Sequence, residues 1–136
     1  MTRARPRSLG AIVGAAAADA ILIAAFAVTG RGSHDERLDL LGVVGTAWPF
    51  LAGAAIGWVA IRAWRRPLAV WPTGVVVWAC ALVGGMLLRV LTGQGTATAF
   101  IIVAALTLAL FLIGWRAAVA AALEFRTRRR TGAAAR

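Results

Sequence analysis

The sequence predicts an all-α protein, a four-helix transmembrane bundle with both termini on the cytoplasmic side. Three observations predict it. First, 61% of the 136 residues are hydrophobic and the mean hydropathy is +0.82, whereas soluble domains sit at about 45–50% apolar. Second, the apolar residues are gathered into four runs. Each run reaches the roughly 20 residues that a helix needs to cross the hydrocarbon core. Third, all 15 basic residues are Arg, and all but Arg89 and Arg116 cluster between and beyond those runs, as topology signals do.

The first run covers about 9–29 and follows Arg3, Arg5 and Arg7. A cleaved signal peptide competes for this segment. Its apolar stretch is longer than the roughly 7–15 residues of a signal core, and Asp19 interrupts it. The second run, about 40–61, holds Pro49 two turns from its start, so a bend is expected there. The third, about 69–91, carries Pro72 in its first turn, where a missing N–H is tolerated. The fourth, about 97–118, passes into a basic segment, 119–136. The organisation is then a basic stretch over 1–8, one membrane domain over 9–118, and a basic tail.

The connections are short, which makes successive helices antiparallel neighbours. Gly30 to Asp39 is polar, Arg62 to Pro67 reads RAWRRP, and Thr92 to Thr96 reads TGQGT. An even number of spans puts both termini and the RAWRRP loop on one side. That side holds most of the arginines, and the positive-inside rule makes it cytoplasmic. Trp64, Trp71 and Trp115 fall near that interface and Trp48 near the outer one, as an aromatic belt would; Trp58 and Trp78 lie deeper. Gly45 to Phe50 resembles Gly95 to Phe100, fifty residues on, a trace of duplication or a chance likeness among small residues.

The net charge of +10 does not indicate a nucleic-acid binder, because the arginines flank apolar runs instead of lining one soluble face. The lone Cys80 forbids an internal disulfide and reads as a small apolar residue within its run. No metal is expected, and no cofactor: His, Cys and acids are too few in the spans for a metal or haem site. No Ser-His-Asp set and no phosphate-binding glycine loop is present. Arginine without lysine, beside much Ala, Gly and Val, suggests a GC-rich genome.

The polar candidates are few. Asp19 sits about ten residues into its helix, roughly 15 Å deep at 1.5 Å per residue. A charge at that depth costs about 2.5–3.5 kcal/mol, so it should face the interior, as a proton or cation relay or as a hydrogen-bonded helix lock. Depth counting gives Thr107 as its candidate partner. Arg89 should snorkel to the outer interface, pair with Asp39, or bind an anion. His34, in the outer loop, is a candidate proton-collecting group or a solvated side chain. Gly10 and Gly14, Gly53 and Gly57, and the pair Gly84–Gly85 are candidate close-packing positions.

Several of these residues occur together in one known pattern. Asp19, Gly30-Arg31, Ser33-His34, Ala47-Trp48-Pro49-Phe50, Trp71-Pro72-x-Gly74, Gly85-Met86-x-x-Arg89, Gly93-x-Gly95-Thr96-Ala97-x-x-Phe100 and Gly114-Trp115-Arg116 resemble the domain-of-unknown-function 3054 family. That resemblance implies a small bacterial membrane protein, often actinobacterial, and supports the architecture without supplying a mechanism. Three functions follow as expectations. The first is a structural or accessory membrane component that meets lipid, a membrane-protein partner or a second copy through its glycine-rich faces. The second is a small oligomeric transporter or channel using Asp19 and Arg89. The third, weakest for want of a nucleophile or acid/base pair, is an enzyme acting on lipid or quinone.

Overall fold

The structure, a computed structural model, describes residues 8–32 and 40–134. The described residues form helices and turns in the order α1 (Leu9–Gly32), α2 (Leu40–Ala60), a 3-10 turn (Ala63–Arg65), a π-turn (Val70–Gly74), α3 (Val75–Leu91), α4 (Thr98–Leu112) and α5 (Gly114–Ala134). Among the described residues four helical stretches are long and apolar enough to cross a membrane, with α4 and α5 acting as one. Large apolar side chains stand exposed along them, Ile21, Leu41, Ile56, Leu87 and Leu106 among them. An outer surface of that kind fits hydrocarbon and not water. The protein is a multi-pass membrane protein.

The chain signals account for the boundaries. Ser8 caps α1, with the Ala11 N–H donating to its carbonyl at 2.9 Å and to its Oγ at 3.4 Å. α2 continues through Pro49, which is buried. α3 starts later than the hydropathy expects. The residue before a proline favours extended backbone, and Trp71 adopts φ −114°, ψ 134° ahead of a cis Trp71–Pro72 bond. Regular helix therefore begins at Val75, and Pro72 lies in the π-turn. α3 ends on Gly93 at φ 71°, with Gln94 N–H donating to the Arg89 carbonyl and Gly93 N–H to that of Val90. This is the glycine-terminated C-cap that leaves few carbonyls unpaired.

The segment 119–136, expected as a tail, is helical as far as Ala134. It is exposed from Ala121 to Gly132, so α5 projects from the bundle.

Packing centres on two features. α2 and α3 lie in backbone contact at their glycines. A Cβ on Gly53 would collide with the Cys80 carbonyl, and one on Gly84 would stand 3.1 Å from the Gly53 Cα. Small residues permit this approach, and in lipid close packing is a main source of helix association. Gly85 in turn makes room for the Phe50 ring. Phe50 meets Phe26 edge-on at 5.1 Å between centroids and Phe100 at 6.3 Å. This aromatic cluster joins α1, α2 and α4. It also brings the two resembling segments together, although Gly45 lies within α2 while Gly95 precedes α4.

Candidate functional site

The site is built on Asp19, which is 3% exposed. Its partner is Arg116 of α5, itself fully buried. Arg116 Nη1 donates to Asp19 Oδ1 and Nη2 to Oδ2, both at 2.7 Å. Trp115 Nε1 donates to Oδ1 and Trp58 Nε1 to Oδ2, both at 2.9 Å. Each carboxylate oxygen thus accepts two hydrogen bonds. The paired, parallel geometry is the strongest form of this interaction, because the guanidinium fork matches the carboxylate.

Arg116 is held on its other edges as well. Its Nε donates to the Pro67 carbonyl at 3.0 Å and its Nη1 to the Leu112 carbonyl at 2.8 Å. The Trp115 ring lies 4.6 Å from the guanidinium carbon, within cation–π range. A Cβ on Gly74 would come to 3.1 Å from Arg116 Cδ, so the π-turn closes over the side chain. Thr73 Oγ1 donates to the Arg66 carbonyl at 2.8 Å and ties that turn to the loop. The break between α4 and α5 falls at Ile113, beside the Leu112 carbonyl that Arg116 engages and just before Gly114. No buried side-chain N or O among the described residues lacks a hydrogen-bond partner.

One ion pair therefore links α1, α2, the loop before α3, and the α4–α5 junction. Two expectations change. Thr107 is not among the partners of Asp19; it is half-buried on α4, about two and a half helical turns from Arg116. The depth estimate also shifts. Asp19 bonds Trp58, two residues before the end of α2, and Arg116, which bonds the interhelical loop. Asp19 thus lies near the end of the bundle that bears Arg62, Arg65 and Arg66. α1 begins about two turns beyond the level where α2 ends, a projection that counting residues within a single helix could not detect. Trp115 belongs to the clamp, whereas Trp71 (73% exposed) and Trp64 (42%) stand on the outer surface.

Arg89 lies at the opposite end. Its Nη1 donates to Gln94 Oε1 at 2.8 Å, and Nε and Nη2 donate to the Gly95 carbonyl at 3.2 and 2.9 Å. Its guanidinium carbon stands 4.5 Å from the Phe100 ring. It fixes the α3–α4 turn and borders a cavity of about 460 Å³ lined by Phe26, Arg31, Thr46 and Phe100. His34 and Asp39 lie outside the described residues.

Gly53, Gly57, Gly84 and Gly85 serve contacts inside the chain, whereas a methyl placed on Gly10 or Gly14 would meet nothing within 4 Å. Among the described residues no group of three His, Cys, Asp or Glu side chains could hold a metal. Trp78, on α3, donates to the Ala105 carbonyl of α4 at 3.0 Å.

Sequence reasoning missed Arg116 as the counter-ion. The signal was present in Gly114-Trp115-Arg116, an arginine just inside the last apolar run, with a donor-bearing indole beside it. A family model described as "Protein of unknown function (DUF3054)" matches residues 16–119. The chain belongs to this family. The matched DUF3054 segment contains the whole clamp, from Asp19 to Arg116, and ends where α5 leaves the bundle. No curated protein and no solved structure matches the chain significantly.

Proposed function

We propose that this DUF3054 protein is a non-catalytic accessory component of a bacterial cytoplasmic membrane, a rigid bundle that binds lipid or a membrane partner. The single observation that carries the reading is the saturation of Asp19. A relay carboxylate has to exchange its partner for a proton, an ion or water. This one accepts four hydrogen bonds, two of them from a buried guanidinium. Such a group favours one packing of the helices, and breaking it exposes an uncompensated charge to the apolar interior. The internal use of Gly53, Gly57, Gly84 and Gly85 moves the candidate contact surface to the outside of α1 and to the Arg-bearing end.

In this reading the Arg-bearing end is cytoplasmic, on the positive-inside rule. A reporter fused after Arg136, active only on one side of the membrane, tests that orientation. The test of the main reading is ion flux in liposomes reconstituted with the purified protein. No flux above protein-free liposomes is expected. Flux that Asp19→Asn abolishes in a folded protein would overturn the reading in favour of a transporter. The cavity of about 460 Å³ beside Arg31 and Arg89 is the feature that supports that second reading.

A further inference from the structure

We infer that the Arg-bearing end holds a site for one anionic phospholipid, with an acyl chain in a groove between α1 and α2. The inference rests on the accessory reading and names its ligand. The groove has a volume of about 410 Å³, within the roughly 300–1,000 Å³ of small-ligand sites. It is hollow because its walls are short. Ala16 and Ala20 of α1 face Ala54 and Ala55 of α2, while Trp58 and Trp64 border it toward the Arg-bearing end. Its surface is almost wholly apolar, and Asp19, the polar residue on its lining, has both oxygens turned to other partners.

The headgroup position follows from the turn that presents Trp64. Arg62 and Arg65 flank this indole, and all three are exposed. The Arg65 N–H donates to the Arg62 carbonyl at 2.9 Å, closing the turn. Arg62 holds a left-handed conformation, φ 52°, ψ 54°, which is normally left to Gly or Asn. Two exposed arginines in the same short turn as a groove-lining indole suit a ligand with a negative head and an apolar tail. Both lipid classes carry a phosphodiester, so charge complementarity selects a headgroup of net negative charge over a zwitterionic one. A basic side chain near an anionic membrane surface gains about fivefold in affinity, so the two arginines together give about 25-fold.

The experiment is native mass spectrometry of the full chain. It is purified in detergent and incubated with equal amounts of phosphatidylglycerol and phosphatidylcholine of the same acyl chains. The wild type should retain one phosphatidylglycerol in preference to phosphatidylcholine by tenfold or more. Arg62→Asn with Arg65→Gln should erase the preference without lowering thermal stability, since Asn accepts the left-handed conformation. Ala20→Leu with Ala55→Leu, both exposed and outside the core, should remove retained lipid of either kind. Replacing Arg126, Arg128, Arg129 and Arg130 with Gln should leave the preference intact. The site is refuted if the wild type shows no preference, if the preference survives both the arginine and the groove variants, or if it is lost with the α5 arginines. Liposome flux separates the two readings: a silent protein without lipid preference loses this site and remains an accessory component, whereas a conducting one loses the accessory reading.

Discussion

Replacing Asp19 with Asn should unlock the bundle, although the two side chains have nearly the same shape. The carboxylate accepts two hydrogen bonds on each oxygen. An amide keeps one oxygen and turns the other site into a donor, which then faces an indole N–H and a guanidinium N–H. Two of the four bonds are lost, and Arg116 stays buried without a counter-ion. Breaking a buried pair by removing one partner costs about 3–5 kcal/mol. That is a large share of the roughly 5–15 kcal/mol by which folded domains are stable. Arg116→Met should cost a similar amount, because it leaves the carboxylate with two indole donors in an apolar setting. The double variant Asp19→Leu with Arg116→Met removes both charges and closes a cycle with the single variants Asp19→Leu and Arg116→Met. Its cost should fall below the sum of the single changes by at least about 2 kcal/mol, although Trp58 and Trp115 then lose their acceptor. Unfolding in mixed micelles of rising denaturing-detergent fraction, followed by circular dichroism, gives the four free energies of the cycle. An Asp19→Asn protein within about 0.5 kcal/mol of wild type, or strictly additive single and double changes, would refute the idea that this pair holds the helices together.

The two GxxxG pairs should behave oppositely. Gly53→Ala presses a methyl into the Cys80 carbonyl and should destabilise by about 1–3 kcal/mol. Gly14→Ala meets nothing within 4 Å and should be neutral or stabilising by up to about 1 kcal/mol; the same unfolding titration reads both. Arg89→Ala removes the bonds to Gln94 and Gly95 and the contact with Phe100, so amide exchange should speed up at the α3–α4 turn while α1 and α2 keep their protection. Truncation after Ala120 removes the stretch of α5 that is exposed from Ala121 to Gly132, so the unfolding midpoint should hold while binding of the chain to anionic vesicle surfaces weakens, as a vesicle pull-down of detergent-diluted protein would register.

Span number, approximate helix limits and the gathering of arginines at one end are one-dimensional properties. Twenty apolar residues cross hydrocarbon whatever their neighbours do, because a helix satisfies its own backbone. The sequence by itself therefore determined an all-helical chain with four stretches able to span a membrane, and the resemblance, Trp71-Pro72 and Gly114-Trp115-Arg116 included, pointed to the family. It also marked Asp19, since an acid in an apolar run is conspicuous wherever it goes. The tertiary structure decided the partner. Asp19 and Arg116 are 97 residues apart, and their meeting depends on how far α1 slides past α2 and on the angle at which α5 leaves α4. Hydropathy is blind to both, since a helix shifted by two turns in lipid keeps the same apolar content. The same blindness hid which glycines were used. Gly10–Gly14 and Gly53–Gly57 read alike in the chain, and only the rotation of each helix about its axis assigns one pair to the outside and the other to the α2–α3 contact.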